Sequence, residues 1–124
     1  MEASASPVNF VDKSAEVTNI VEMIGFAALS IRTTDKSIYS MNASAEELLQ
    51  LDPNERNGSI ENFGDQALKL NLLDLVEQSI ASPSQMVNSQ LAFSGINHTI
   101  LASAIMGSEE PDYIIVTLIP DEGA

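Results

Sequence analysis

The chain has 124 residues, enough for one domain around one modest core, and its apolar fraction of 44% suits a globular protein rather than a disordered one. Eighteen acidic side chains against five basic ones give a formal charge of −13, a surface that repels nucleic acid and anionic membranes. There is no cysteine, which excludes disulfides, thiol nucleophiles, thiolate zinc sites and any flavin adduct through sulfur.

Met1 to Pro7 is small and acidic and lacks the basic start and apolar centre of a signal peptide. No apolar run approaches the ~20 residues of a membrane span, so the expected location is cytoplasmic. Met1 to Phe10 reads as a frayed tail. From about Asp12 a helix is predicted, with Ser14 as its N-cap and Gly25 as its stop. Val17, Ile20, Val21 and Ile24 fall at i, i+3, i+4 and i+7 and form one apolar stripe, which covers either its own sheet or that of a second copy.

Phe26 to Arg32 and Ser37 to Met41 read as two strands of an antiparallel hairpin, joined by the polar turn Thr33-Thr34-Asp35-Lys36. A short helix follows, capped by Asn42 or, through a Ser44/Glu47 capping box, two residues later. Asp52-Pro53-Asn54 is read as its end and Glu55 to Gly64 as a polar loop. The longest helix opens at Asp65 or Gln66 and ends near Ser82-Pro83, with Leu68, Leu72, Leu75, Val76 and Ile80 on one side. Three strands complete the chain: Met86 to Ser94, with Val87, Leu91 and Phe93 sharing a face; His98 to Met106, after a turn at Gly95-Ile96-Asn97; and Tyr113 to Ile119, after a turn at Gly107 to Pro111. The last is almost continuously apolar, as expected of a central strand covered on both faces.

This order resembles the PAS domain, the small sensory module of signalling proteins, over about Phe26 to Ile119. Asp35 stands in the first turn, where that family often has an acid. Asn42 followed by Ala45-Glu46-Glu47-Leu48-Leu49 is similar to its N-x-A-A-E-x-L-L pattern. Glu55-Arg56-Asn57-Gly58 looks like its E-x-x-G, and Gly95 matches its turn glycine. The family's closing Asp-Ile-Thr is absent, since Ile119 runs into Pro120-Asp121-Glu122-Gly123-Ala124. The resemblance implies an α+β fold: a five-stranded antiparallel sheet with helices over one face, preceded here by the amphipathic helix. The expected organisation is tail and helix over 1–25, PAS-like domain over 26–120, and a C-terminal tail over 121–124.

No catalytic constellation is legible. G-x-S-x-G, G-x-G-x-x-G and the P-loop pattern are all missing, and Glu46-Glu47 point in different directions on a helix. The lone histidine, His98, reads as a polar residue at a strand end rather than a haem or metal ligand. The chain has no tryptophan, which weakens a flavin. The resemblance therefore implies a non-catalytic regulatory or sensory domain of a multidomain signal-transduction or transcription-regulatory protein. It would act through dimerisation and small-molecule binding, without a cofactor, without direct contact to nucleic acid or membrane, and with an output domain as partner. The alternatives are a haem- or flavin-bearing redox or gas sensor, and a ligand-free dimerisation module. Leu72, Val76, Leu91, Phe93, Met106 and Ile115 are the candidate pocket residues, and Val17, Ile20, Val21 and Ile24 the candidate dimer interface.

Overall fold

A computed structural model describes residues 14–93, 95–107 and 109–121. The frayed-tail reading of Met1 to Phe10 and the helix start at Asp12 lie outside the described residues; Ser14 is the first described residue and already helical, and its side chain is outside the description. In chain order the elements are α1 (Ser14–Met23), β1 (Ala27–Arg32), β2 (Ile38–Met41), α2 (Ala43–Leu49), α3 (Pro53–Arg56), a 3₁₀ turn (Ile60–Asn62), α4 (Gln66–Ala81), β3 (Val87–Phe93), β4 (Ile96–Met106) and β5 (Pro111–Pro120).

The strands form one sheet in the order β2-β1-β5-β4-β3, antiparallel at every pairing. β5 is therefore the central strand, as its unbroken apolar run predicts. The β3–β4 hairpin is tighter than the sequence suggests: Phe93 pairs with Ile96, and Gly95 takes a φ of +79°. A two-residue turn needs that left-handed geometry, which a residue without Cβ adopts freely.

Strand alternation divides the side chains into two sets. Leu29, Ile31, Ile100, Ala102, Ile114, Val116 and Leu118 face α4, where Leu68, Leu72, Leu75 and Val76 complete the main core. The helix face is rotated slightly from expectation. Ser79 is buried on α4 while Ile80 is 38% exposed, because the stripe continues from Leu72 and Val76 to position 79. Ala28 and Ile115 point to the opposite side of the sheet, where Val21 of α1 covers them and Ile20, Ile24 and Ile105 pack around them. α1 thus covers the outer face of its own sheet.

The polar loop predicted from Glu55 to Gly64 is an ordered connection. Asp52 caps α3 by accepting from Glu55 N–H at 2.8 Å, and Glu55 Oε1 accepts from Asp52 N–H at 3.1 Å. Pro53 occupies the first turn, where its missing N–H costs nothing. Asp-Pro therefore starts a helix here as well as ending one. The following stretch lies along β2, with Ile38 N–H donating to Gly58 O at 3.3 Å and Ile60 N–H to Lys36 O at 2.8 Å. That contact shields an edge strand whose amides would otherwise be open to pairing, and it buries Ile60 and Phe63.

Candidate functional site

The cleft that stands out is about 550 Å³ and opens where the end of α2 meets the approach to α4. Glu47 to Leu51 form one wall, Glu55, Phe63, Asp65 and Leu68 the other, and Ala92 of β3 lies beside them. Its back is apolar because Phe63 and Leu68 belong to the main core and Leu48, Leu49 and Leu51 pack against that core. The mouth is acidic. Glu55 Oε2 accepts from Gly64 N–H at 2.7 Å and Asp65 Oδ1 from Leu68 N–H at 3.1 Å. These carboxylates therefore hold the loop and the start of α4 in place, and neither forms an acid–base pair. Among the described residues, no group of three or more His, Asp or Glu side chains is placed to hold a metal ion.

Two structural choices shape the wall formed by α2. Its N-cap is Asn42, whose Oδ1 accepts from Ala45 N–H at 2.9 Å. The Ser44/Glu47 box is not used, since both residues sit inside the helix. At the other end Gln50 adopts the left-handed conformation and turns the chain toward Leu51. The run Leu48-Leu49-x-Leu51 around a helix end is the signal that could have marked this site, since it keeps apolar side chains where the chain leaves the helix.

None of the six predicted pocket residues lines this cleft. The structure splits them. Leu72 and Val76 are fully buried in the main core, and Leu91 packs against it. Ile115 lies on the outer face with Val21 and Ala28, because it alternates with the inward Ile114 and Val116. Met106 is 38% exposed at the end of β4. Phe93 closes β3, and its side chain lies outside the description. The stripe on α1 is divided too: Val17 and Val21 are fully buried within the chain, and Ile20 and Ile24 are half-buried. Next to them Met23 is 84% and Phe26 43% exposed. His98 is buried on β4, its Nδ1 3.0 Å from the Ile96 carbonyl oxygen.

No protein-family model matches the sequence, and no curated relative matches it. Solved structures do. The PAS domain of Bordetella pertussis BvgS superposes with a TM-score of 0.68 at 13% identity, covering 89% of this chain and 87% of that one. The chain has the PAS fold. A sensory box sensor histidine kinase from Vibrio cholerae gives 0.64 at 12% identity, with 97% and 98% of the two chains covered. A domain of an HTR-like protein from Haloarcula marismortui gives 0.61 at 16% identity, over 76% of this chain and 95% of that one. This PAS-like domain has no helix, among the described residues, that is long and apolar enough to cross a membrane.

Proposed function

We propose that this PAS-like domain is a non-catalytic sensory and regulatory module of a larger cytoplasmic signal-transduction or transcription-regulatory protein. In this reading it works as a homodimer, and a small molecule enters the cleft between α2 and α4. The observation that carries it is the cleft itself: about 550 Å³, with Phe63, Leu68 and three leucines among its lining together with polar groups. The carboxylates of Glu47, Glu55 and Asp65 at its mouth favour a neutral or cationic ligand with an apolar body over an anion. No cofactor is required by the reading, and the output domain is the macromolecular partner.

The dimer contact proposed is the edge of α1 that its own sheet covers only in part: half-buried Ile20 and Ile24 and exposed Met23, together with Phe26. The neighbouring outer face of β4 and β5 carries Leu101, Ser103 and Thr117, all uncharged. Two copies of a chain with charge −13 meet there with least repulsion.

Native mass spectrometry of freshly purified protein, with an absorbance spectrum of the same sample, tests the reading. A dimer mass with an added small-molecule mass supports it. Visible absorbance would replace it with the cofactor-bearing sensor, and a ligand-free dimer with the assembly module. A ligand-free monomer, unmoved in melting temperature by a library of neutral and cationic amphiphiles, would remove both halves of the proposal.

A further inference from the structure

Asn42 is 8% exposed, and its side chain makes hydrogen bonds in two opposite directions. Its oxygen accepts from Ala45 N–H at 2.9 Å, capping α2, and from Ala28 N–H in β1 at 3.0 Å. Its NH₂ group donates to the carbonyls of Phe26 at 2.8 Å, Val21 at 3.1 Å and, more weakly, Ile24 at 3.4 Å. Its backbone N–H donates to Ala28 O at 3.0 Å. Val21 is in the last turn of α1 and Ile24 just follows it; the Val21 carbonyl accepts from Ile24 N–H at 3.3 Å, and the Asn42 amide adds a second donor to it. α1 has no basic residue in its last turn, and the neutral Asn42 NH₂ group places N–H donors against the carbonyls at this negative end of the helix dipole.

An asparagine that served only as a helix cap would need its oxygen alone. Here both ends of the carboxamide are used, and they join elements that are far apart in the chain. The segment capped by the oxygen continues into Glu47 to Gln50, one wall of the cleft. The segment held by the nitrogen is the last turn of α1 and the link from it to β1, and Val21 in that turn covers Ala28 and Ile115 on the outer face. We infer that Asn42 is a latch that couples the docking of α1 to the position of α2, and so links the cleft on one side of the sheet to the helix on the other. A shift of α2 moves Asn42 and loosens the end of α1. By thermodynamic reciprocity, undocking α1 loosens the cap of α2. The latch is a property of the apo chain and stands whether or not anything binds in the cleft.

Hydrogen exchange on the full chain tests it. Asn42→Ser keeps an oxygen that caps α2 but cannot reach the carbonyls of α1. Asn42→Asp keeps size and cap and turns an oxygen toward those carbonyls in place of a donor. In both variants the amides of Ile20 to Ile24 should exchange roughly tenfold faster or more, while those of Ala45 to Glu47 and the central strands hold their protection. The second arm is Val21→Ala, which weakens α1 docking. It should raise exchange in α2 when Asn42 is present and leave α2 unchanged in the Asn42→Ser background. Unchanged α1 exchange in either Asn42 variant, or a Val21→Ala effect on α2 that persists without Asn42, would overturn the latch. Ligand binding plays no part in this readout, so its failure and that of the proposed function are separately visible.

Discussion

The two faces of the sheet are built by different rules. On the inner face a 16-residue helix, α4, lays Leu68, Leu72, Leu75 and Val76 against Leu29, Ile31, Ile114 and Val116. The cluster there is built mostly from Leu, Ile and Val side chains. On the outer face the shorter α1 commits Val17 and Val21, and the surface below it mixes small, polar and apolar side chains: Ala28, Ser30 and Ile115. Ser30 and Ser40 share a hydrogen bond of 2.7 Å there, and the Tyr39 and Tyr113 rings meet at a 52° tilt with centroids 5.2 Å apart, the Arg32 guanidinium 4.9 Å over Tyr39. These pairs tie strand to strand on the outer face, and the Asn42 amide bonds the Val21 carbonyl of α1, whereas the inner cover is held by apolar packing. An apolar interface gains from every methylene it buries, whereas a few directional bonds are made or lost together. The inner face therefore carries most of the apolar burial, and the cover on the outer face rests on fewer contacts.

The largest effect that sharpens this contrast is Leu72→Ala. It removes a fully buried side chain from the inner core and should lower global stability by about 2–5 kcal/mol in urea denaturation. Val21→Ala on the outer face should cost about 1–2 kcal/mol, expressed as local opening of α1 with the sheet still protected against exchange. Equal costs, or a single cooperative transition in exchange for both variants, would break the comparison. Asp52→Ala deletes the cap of α3 and should cost about 1 kcal/mol in the same denaturation assay. Arg56 and Glu46 form an exposed ion pair at 3.1 Å beside the cleft. Its removal by Arg56→Ala should stay within about 0.5 kcal/mol and vanish in high salt.

The smallest expected effect concerns acid. Asp35 is held below the usual carboxylate range first by the Ser37 hydroxyl, at 2.7 Å, and then by the Ser37 backbone N–H, at 3.0 Å. Its folded pKa is thus depressed relative to the unfolded chain. The associated stability is present above the unfolded pKa and is lost as pH falls through the folded one. Ser37→Ala should move the Asp35 titration, followed by NMR, back up toward the ordinary value. An unmoved midpoint would show that the backbone bond alone sets it.

Much of the fold was legible in the chain. The central position of β5 followed from its unbroken apolar run, α1 from its spacing of Val17, Ile20, Val21 and Ile24, and the β1–β2 hairpin from two short apolar runs around a polar turn. These depend on period and on local turn chemistry, which neighbours in sequence determine. The connection from Asp52 to Gly64 was misread because Asp-Pro carries two meanings. It disfavours helix before the proline and starts one after it, and Glu55 three positions beyond Asp52 was the sign of the second. The six candidate pocket residues do not share one face of the sheet, for a different reason. Ile115 and Leu72 are equally apolar, and only the register of β5 against β1 and β4 puts them on opposite sides of the sheet.

The sequence by itself determined the PAS-like order of elements, the acidic surface and the absence of thiol chemistry, because composition, periodicity and turn residues act over a few positions. Tertiary structure alone decided which face each apolar side chain occupies, that Val17 and Val21 cover their own sheet, and that Leu48, Leu49 and Leu51 meet Phe63 and Leu68 at a cleft. It alone brought the carbonyls of Val21 and Phe26 within reach of Asn42. Such contacts join residues many positions apart, and pairing across a sheet fixes them through a register that no local pattern encodes.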